Sequence, residues 1–169
     1  MIEFSPKDLE DLARLLGMVA ANNGYWPDEA TMRAAHATVS YWAPEVVVTR
    51  HNRGVEEILL TLYEGGAEFF VGKWHIPGGY AKRNEPDLQA TCSRHAKAGI
   101  GVDVHYAGII DEYRWAPGEH PYGHPLSLFC RCVPQGEVIE TDSRKFFSKA
   151  DLPPNIVVPH RRFIMKDFV

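Results

Sequence analysis

The segment from Trp74 to Val102 constrains this chain more than any other. Trp74-His75-Ile76 reads as the end of a strand, and Pro77-Gly78-Gly79 breaks it sharply. Residues 87–98 then follow helical spacing, and Gly99 or Gly101 ends the run before Val102. Pro86 falls at the expected first helical turn, where its missing N–H costs nothing. Glycines let backbone approach a ligand closely, and a helix starting after such a loop attracts anions. A strand, a glycine-rich loop, a helix and a glycine exit, in that order, argue for a mixed fold in which helices lie on a sheet.

The rest of the chain fits that frame. Ser5 is a suitable N-cap, Pro6 suits the first helical position and Asp8 the first turn. Leu9, Leu12, Leu16 and Val19 follow at helical spacing, and Asn22-Asn23-Gly24 stops the run. A second helix is expected from about Asp28, with Met32, Ala35, His36 and Val39 on one face. The texture changes after Pro44. Residues 45–50, 56–63, 68–71, 102–113, 125–133 and 145–148 read as strands, and 115–124 as a loop. A last helix is expected over 160–167, after the stiff Pro153-Pro154 step. The expected fold class is α/β (α+β) with one main mixed sheet. Residues 1–43 form an N-terminal helical extension and 44–169 the main domain.

At 169 residues and 45% hydrophobic content, the chain can bury a core without disulfides or a structural metal. No window approaches the ~20 apolar residues of a membrane helix. The stretch Met1–Asp8 has neither a basic flank nor an apolar run, so no signal peptide is expected. Cys130 and Cys132, two apart on one strand face, cannot pair with each other. A reducing cytoplasm is the expected location. A net charge of −4 gives no reason to expect nucleic-acid binding.

The order of residues in the central segment resembles the Nudix box of the Nudix hydrolase superfamily. That box reads Gly, five residues, Glu, seven residues, then Arg-Glu-hydrophobic-any-Glu-Glu-any-Gly-hydrophobic. Here Gly79 is followed by five residues and Glu85, and Arg94 by six residues and Gly101-Val102. The lead-in Trp74-x-x-Pro77-Gly78-Gly79 and the closing stretch 146–153 are also similar, so the resemblance spans about 44–167. It implies an α/β/α sandwich and an ion pair between Glu85 and Arg94 that braces loop against helix. The superfamily hydrolyses nucleoside diphosphates linked to another moiety.

The departures from the box are informative. Eight residues, not seven, separate Glu85 from Arg94, with Pro86 as the extra one. The three glutamates that would follow the arginine fall on His95, Ala98 and Gly99. Counted rigidly from Glu85 they fall on Arg94, Lys97 and Ala98, so neither alignment leaves a carboxylate on the helix. In the family these carboxylates hold Mg²⁺ or Mn²⁺ against a diphosphate. Mg²⁺ requires hard oxygen ligands, which alanine and glycine lack and histidine poorly replaces. No metal is therefore expected at this helix. The reduced box is nearest in style to that of GDP-mannose mannosyl hydrolase-like members.

Five basic residues (Lys73, Lys82, Arg83, Arg94 and Lys97) face two acidic ones (Glu85 and Asp87) across this segment. Gly78, Gly79, Lys82, Arg83 and Lys97 are the expected phosphate-binding set, since Lys and Arg meet phosphate directly. Glu119, His120 and His124 form a second polar cluster, a candidate for a displaced metal or acid/base site, as is His95. Two readings follow. One is a non-catalytic or weakly active Nudix-fold protein that binds a nucleotide or nucleotide sugar. The other is an active Nudix-type hydrolase of a nucleotide sugar or similar nucleoside diphosphate derivative using a non-standard metal or acid/base set, with Mg²⁺ or Mn²⁺ entering only there. The N-terminal helices either cap the fold or form a homodimer interface.

Overall fold

The computed structural model describes residues 5–21, 28–38, 41–65, 68–116, 118–121 and 123–167. Two helices lead the chain, α1 (Pro6–Ala21) and α2 (Glu29–Thr38). The strands β1 (Trp42–Val47), β2 (Thr49–Asn52), β3 (Val55–Leu62) and β4 (Trp74–His75) follow, then α3 (Leu88–Ile100). The chain closes with β5 (Val104–Arg114), β6 (Leu126–Pro134), β7 (Arg144–Ser148) and α4 (Val158–Asp167).

The strands form two sheets. In one, β6 is central, parallel to β1 and antiparallel to β5. In the other, β3 pairs antiparallel with β2, β4 and β7. The run expected as one strand over 45–50 is divided at Val48, where the chain leaves β1 and enters β2 of the other sheet. Val46, Val47 and Val48 are all buried because helices cover both faces here. The period of two still decides direction. Val46, Val48 and Leu59 pack towards α3 with Cys92, Ala96, Ile100, Val104, Cys130 and Cys132. Val47, Ile58 and Leu60 pack towards α4 with Phe129, Phe163 and Ile164. Phe129 and Phe163 stack with ring centroids 4.1 Å apart. The result is a helix–sheet–helix sandwich in which the one main mixed sheet expected from the sequence is divided into a mixed sheet around β6 and an antiparallel one around β3.

Two expectations are corrected. The apolar run at 68–71 is not a strand but a 3₁₀ turn at Glu68–Phe70. The chain must return within a few residues to close the β3–β4 hairpin, where Tyr63 N donates to Lys73 O at 2.9 Å and Gly72 N to Tyr63 O at 2.8 Å. Phe70 is thereby turned towards Tyr63 (5.7 Å) and Trp115 (6.3 Å between centroids). Pro86 lies outside α3, not in its first turn. Asp87 is the N-cap, its side chain accepting from Ala90 N at 2.8 Å. The extra residue is thus absorbed in the loop. Gly101, not Gly99, ends the helix, in the left-handed conformation at φ 78° that favours glycine.

Ser5 and Asp8 form a reciprocal cap on α1, Asp8 N donating to Ser5 Oγ at 3.2 Å and Ser5 N to Asp8 Oδ2 at 2.9 Å. Its leucine stripe is not covered: Leu9, Leu12 and Leu16 stay about half exposed. The second helical face called above, through His36 and Val39, lies partly outside the described residues. No described helix is long and apolar enough to cross a membrane.

Candidate functional site

The loop from Pro77 to Asp87 is held by Glu85. Its Oε2 accepts from Lys82 N (2.7 Å), Thr91 Oγ1 (2.8 Å) and Arg94 Nη2 (3.1 Å), while Oε1 accepts from Arg94 Nε. Burial raises the Glu85 pKa, but these donors outweigh it and hold the carboxyl down to about 2. Arg94 Nη2 also donates to Tyr80 O at 2.8 Å, so one guanidinium ties the helix to both ends of the loop. Arg94→Ala is expected to lower unfolding stability by roughly 2–3 kcal/mol, between the exposed and fully buried cases, in a denaturant titration.

The buried side of α3 is Thr91, Cys92, Ala96 and Ile100. The other side, carrying His95, Ala98 and Gly99, faces a polar cleft of about 560 Å³. Thr61, Tyr63, Glu64 and His75 form the opposite wall, and Thr141, Ser143 and Arg144 close one end. Gly99 is needed for the close packing here, since a Cβ would stand 3.1 Å from Pro77 Cβ. The His95 ring is bonded to the Tyr80 carbonyl, and burial followed by the Arg94 charge lowers its pKa. Its buried Nε2 has no hydrogen-bond partner among the described residues. Arg144 donates through Nε to Ile139 O (2.7 Å) and through Nη1 to Gly99 O (3.3 Å). Those bonds fix the guanidinium over the end of the helix and leave Nη2 without a described partner.

A second cavity, about 180 Å³, adjoins the first across Tyr63, His75 and Gly78, which line both. It is mainly aromatic, with Phe70, Tyr80, Trp115 and His120 on its walls. Glu45, 5% exposed, sits among them. Ser127 Oγ donates to Glu45 Oε1 (2.9 Å) and accepts from Trp115 Nε1 (3.0 Å). His160 Nδ1 accepts from Ile76 N (2.9 Å), so its proton is on Nε2, 3.6 Å from Glu45 Oε1. Burial raises the Glu45 pKa, but His160, the Ser127 hydroxyl and His75 together carry it below the usual carboxylate value.

His75, the other histidine of this wall, has its pKa lowered to about 4, chiefly by burial and then by His160. Because the unfolded chain takes up this proton first, near the ordinary 6.5, stability falls as pH drops from 6.5 towards 4. The expected loss is roughly 3 kcal/mol across that window. In thermal melts at stepped pH, His75→Gln should flatten this part of the profile.

The residues singled out in the sequence are only partly brought together. Gly78, Gly79 and His120 line the aromatic cavity and His95 the polar cleft. Lys82, Arg83 and Lys97 line neither. Lys97 pairs with Asp103 at 2.8 Å, and Arg83 donates to Ala20 O at 3.1 Å, tying the loop to α1. Glu119, His120 and His124 do not converge. Glu119 accepts from Tyr113 OH (2.7 Å) and Ala116 N (2.9 Å) and pairs with Arg162 (3.2 Å), His120 packs on Trp115 at 4.7 Å, and His124 is exposed. Among the described residues no group of three His, Cys, Asp or Glu side chains is placed to hold a metal ion. Glu45, Ser127 and Arg144 escaped the sequence reading. The one signal for Glu45 was a carboxylate set directly before the apolar run Val46-Val47-Val48.

A profile of the NUDIX domain matches residues 42–167. The chain therefore belongs to the Nudix family, and its sandwich is the Nudix fold. Among solved structures, a MutT Nudix hydrolase from Burkholderia pseudomallei aligns with a TM-score of 0.61 at 18% identity, covering 76% of this chain and 98% of that one. The Nudix domain of Shewanella oneidensis NrtR, solved with ADP-ribose, aligns at 0.59 and 17% identity, covering 88% and 94%. An ADP-ribose pyrophosphatase from Streptococcus suis aligns at 0.51 and 18%, covering 76% and 91%. In the Shewanella oneidensis NrtR crystal structure, the alignment covers 61% of the NrtR chain. At these identities the likeness is one of fold. Among curated proteins, the search found no match.

Proposed function

We propose that this protein binds a nucleoside diphosphate, free or linked to another moiety, without a metal, and that the pyrophosphatase chemistry of its family has been lost. One observation carries this: the cleft face of α3 presents His95, Ala98 and Gly99, with the Arg144 guanidinium fixed over the helix end. The family's Mg²⁺ does not fit that donor set. Glu85 spends its oxygens on Arg94, Thr91 and Lys82 N, and Glu64 is the one carboxylate among the described lining residues. A cation at Arg144 opposes a second cation but suits a phosphate, which arginine meets with charge-assisted hydrogen bonds. The adjoining aromatic cavity suits a planar base. The ADP-ribose complex of the NrtR domain supports a ligand of this class.

A second reading is carried by the buried Glu45–His160 pair beside the cavity, an acid/base set away from the box helix. It makes the protein a hydrolase of the same ligands by a non-standard route. Product analysis after incubation with ADP-ribose and GDP-mannose, in EDTA and in MgCl₂, separates the two. The proposal expects no turnover in either. Turnover in EDTA that is lost in Glu45→Gln establishes the second reading. Turnover only with Mg²⁺ overturns both.

A further inference from the structure

The floor of the aromatic cavity has a definite hydrogen-bonding polarity. The Ser127 hydroxyl is spent, donating to Glu45 and accepting from Trp115. His75 is spent as well, its Nδ1 bonded to Ile76 O (2.9 Å) and its Nε2 to Thr61 Oγ1 (3.2 Å). The Ile76 N–H occupies His160 Nδ1, and His160 Nε2 faces Glu45 Oε1. Glu45 Oε2 accepts no hydrogen bond from a described residue, and Glu45, 5% exposed, lines the cavity. This oxygen lies against Gly78, where a Cβ would come within 2.0 Å of it, so a glycine there keeps its flank clear. An acceptor-only oxygen on the wall of an aromatic cavity calls for a ligand that donates.

We propose that the aromatic cavity selects a guanine base, with Glu45 Oε2 accepting from its N1–H and its exocyclic amino group. The inference rests on the nucleotide-binding reading above. Guanine presents two adjacent donors on one edge, matching a carboxylate. Adenine and cytosine set a ring acceptor beside their amino group, which opposes a carboxylate, and uracil offers one N–H between two carbonyls. A site built around an unpaired buried acceptor rejects bases that leave it unpaired.

The test is calorimetric titration of the full chain, in EDTA, with GDP, IDP, ADP and UDP. IDP lacks only the amino group. The expected order is GDP tighter than IDP by about 10-fold and tighter than ADP or UDP by about 100-fold. Glu45→Gln should bring GDP and ADP to within about threefold of each other, since the amide offers one donor and one acceptor. If that variant does not fold, the GDP-to-IDP ratio of the unaltered protein decides alone. Equal affinity for GDP and IDP, or tighter binding of ADP or UDP, overturns the guanine assignment and leaves nucleotide binding standing. Failure of all four to bind overturns both.

Discussion

Replacing Gly78 with alanine is expected to destabilise the fold by about 3–4 kcal/mol, at the upper end for overpacking. The new Cβ would stand 2.0 Å from Glu45 Oε2 and 2.6 Å from Pro44 O. Neither neighbour can yield cheaply. Pro44 lies in β1, paired with Leu128 of β6, and its carbonyl accepts from Gly79 N at 3.2 Å. Glu45 is fixed by Ser127 and His160. Equilibrium denaturation measures the effect, with Gly17→Ala as control. Gly17 lies within α1 with nothing within 4 Å of its added Cβ, so that change should stabilise by up to ~1 kcal/mol. A Gly78→Ala protein within ~1 kcal/mol of the unaltered one would show that Glu45 does not pack there.

Arg144→Ala is expected to weaken binding of a nucleoside diphosphate by about 30- to 100-fold, or roughly 2–3 kcal/mol, the worth of charge-assisted hydrogen bonds to phosphate. The loss should exceed what the melting temperature registers. Arg144 also caps the end of α3 through the Gly99 carbonyl, but a single partly buried cap contributes about 1 kcal/mol. Arg144→Lys should keep part of the affinity, because it retains the charge and loses the planar fork. Titration of both variants beside thermal melts separates the roles. Unchanged affinity in Arg144→Ala removes the guanidinium from the site.

The parts of this architecture that could be read from the sequence are those fixed by local chemistry. The helix after Asp87 announced itself through its period and the glycines at 99 and 101, whereas its Asp87 cap did not. The Glu85–Arg94 pair followed from the resemblance to the Nudix box, whose glutamate and arginine these two residues match. That His95, Ala98 and Gly99 stand where the box has glutamates followed from the same alignment; that they face one cleft did not. Local patterns misled where a closure further along the chain won. Phe69-Phe70-Val71 reads as a strand, yet the hairpin from Tyr63 to Lys73 bends it into a turn. Lys82 and Lys97 are near the box in sequence, yet spacing does not say which way a long side chain turns, and Lys97 turns to Asp103. The aromatic cavity was unreadable for another reason. Glu45, Ser127 and His160 come from β1, β6 and α4, and only the parallel pairing of β1 with β6 and the packing of α4 bring them together.

The central claim is that phosphate recognition in this Nudix protein runs through Arg144 and the cleft beside His95, not through a metal on α3. Calorimetric titration of GDP and ADP-ribose, once in EDTA and once in MgCl₂, tests it most directly. Saturable binding is expected in EDTA, with a Kd that changes less than about threefold, under 1 kcal/mol, when Mg²⁺ replaces the chelator. Affinity that appears only with Mg²⁺, and is lost again in EDTA, would contradict it.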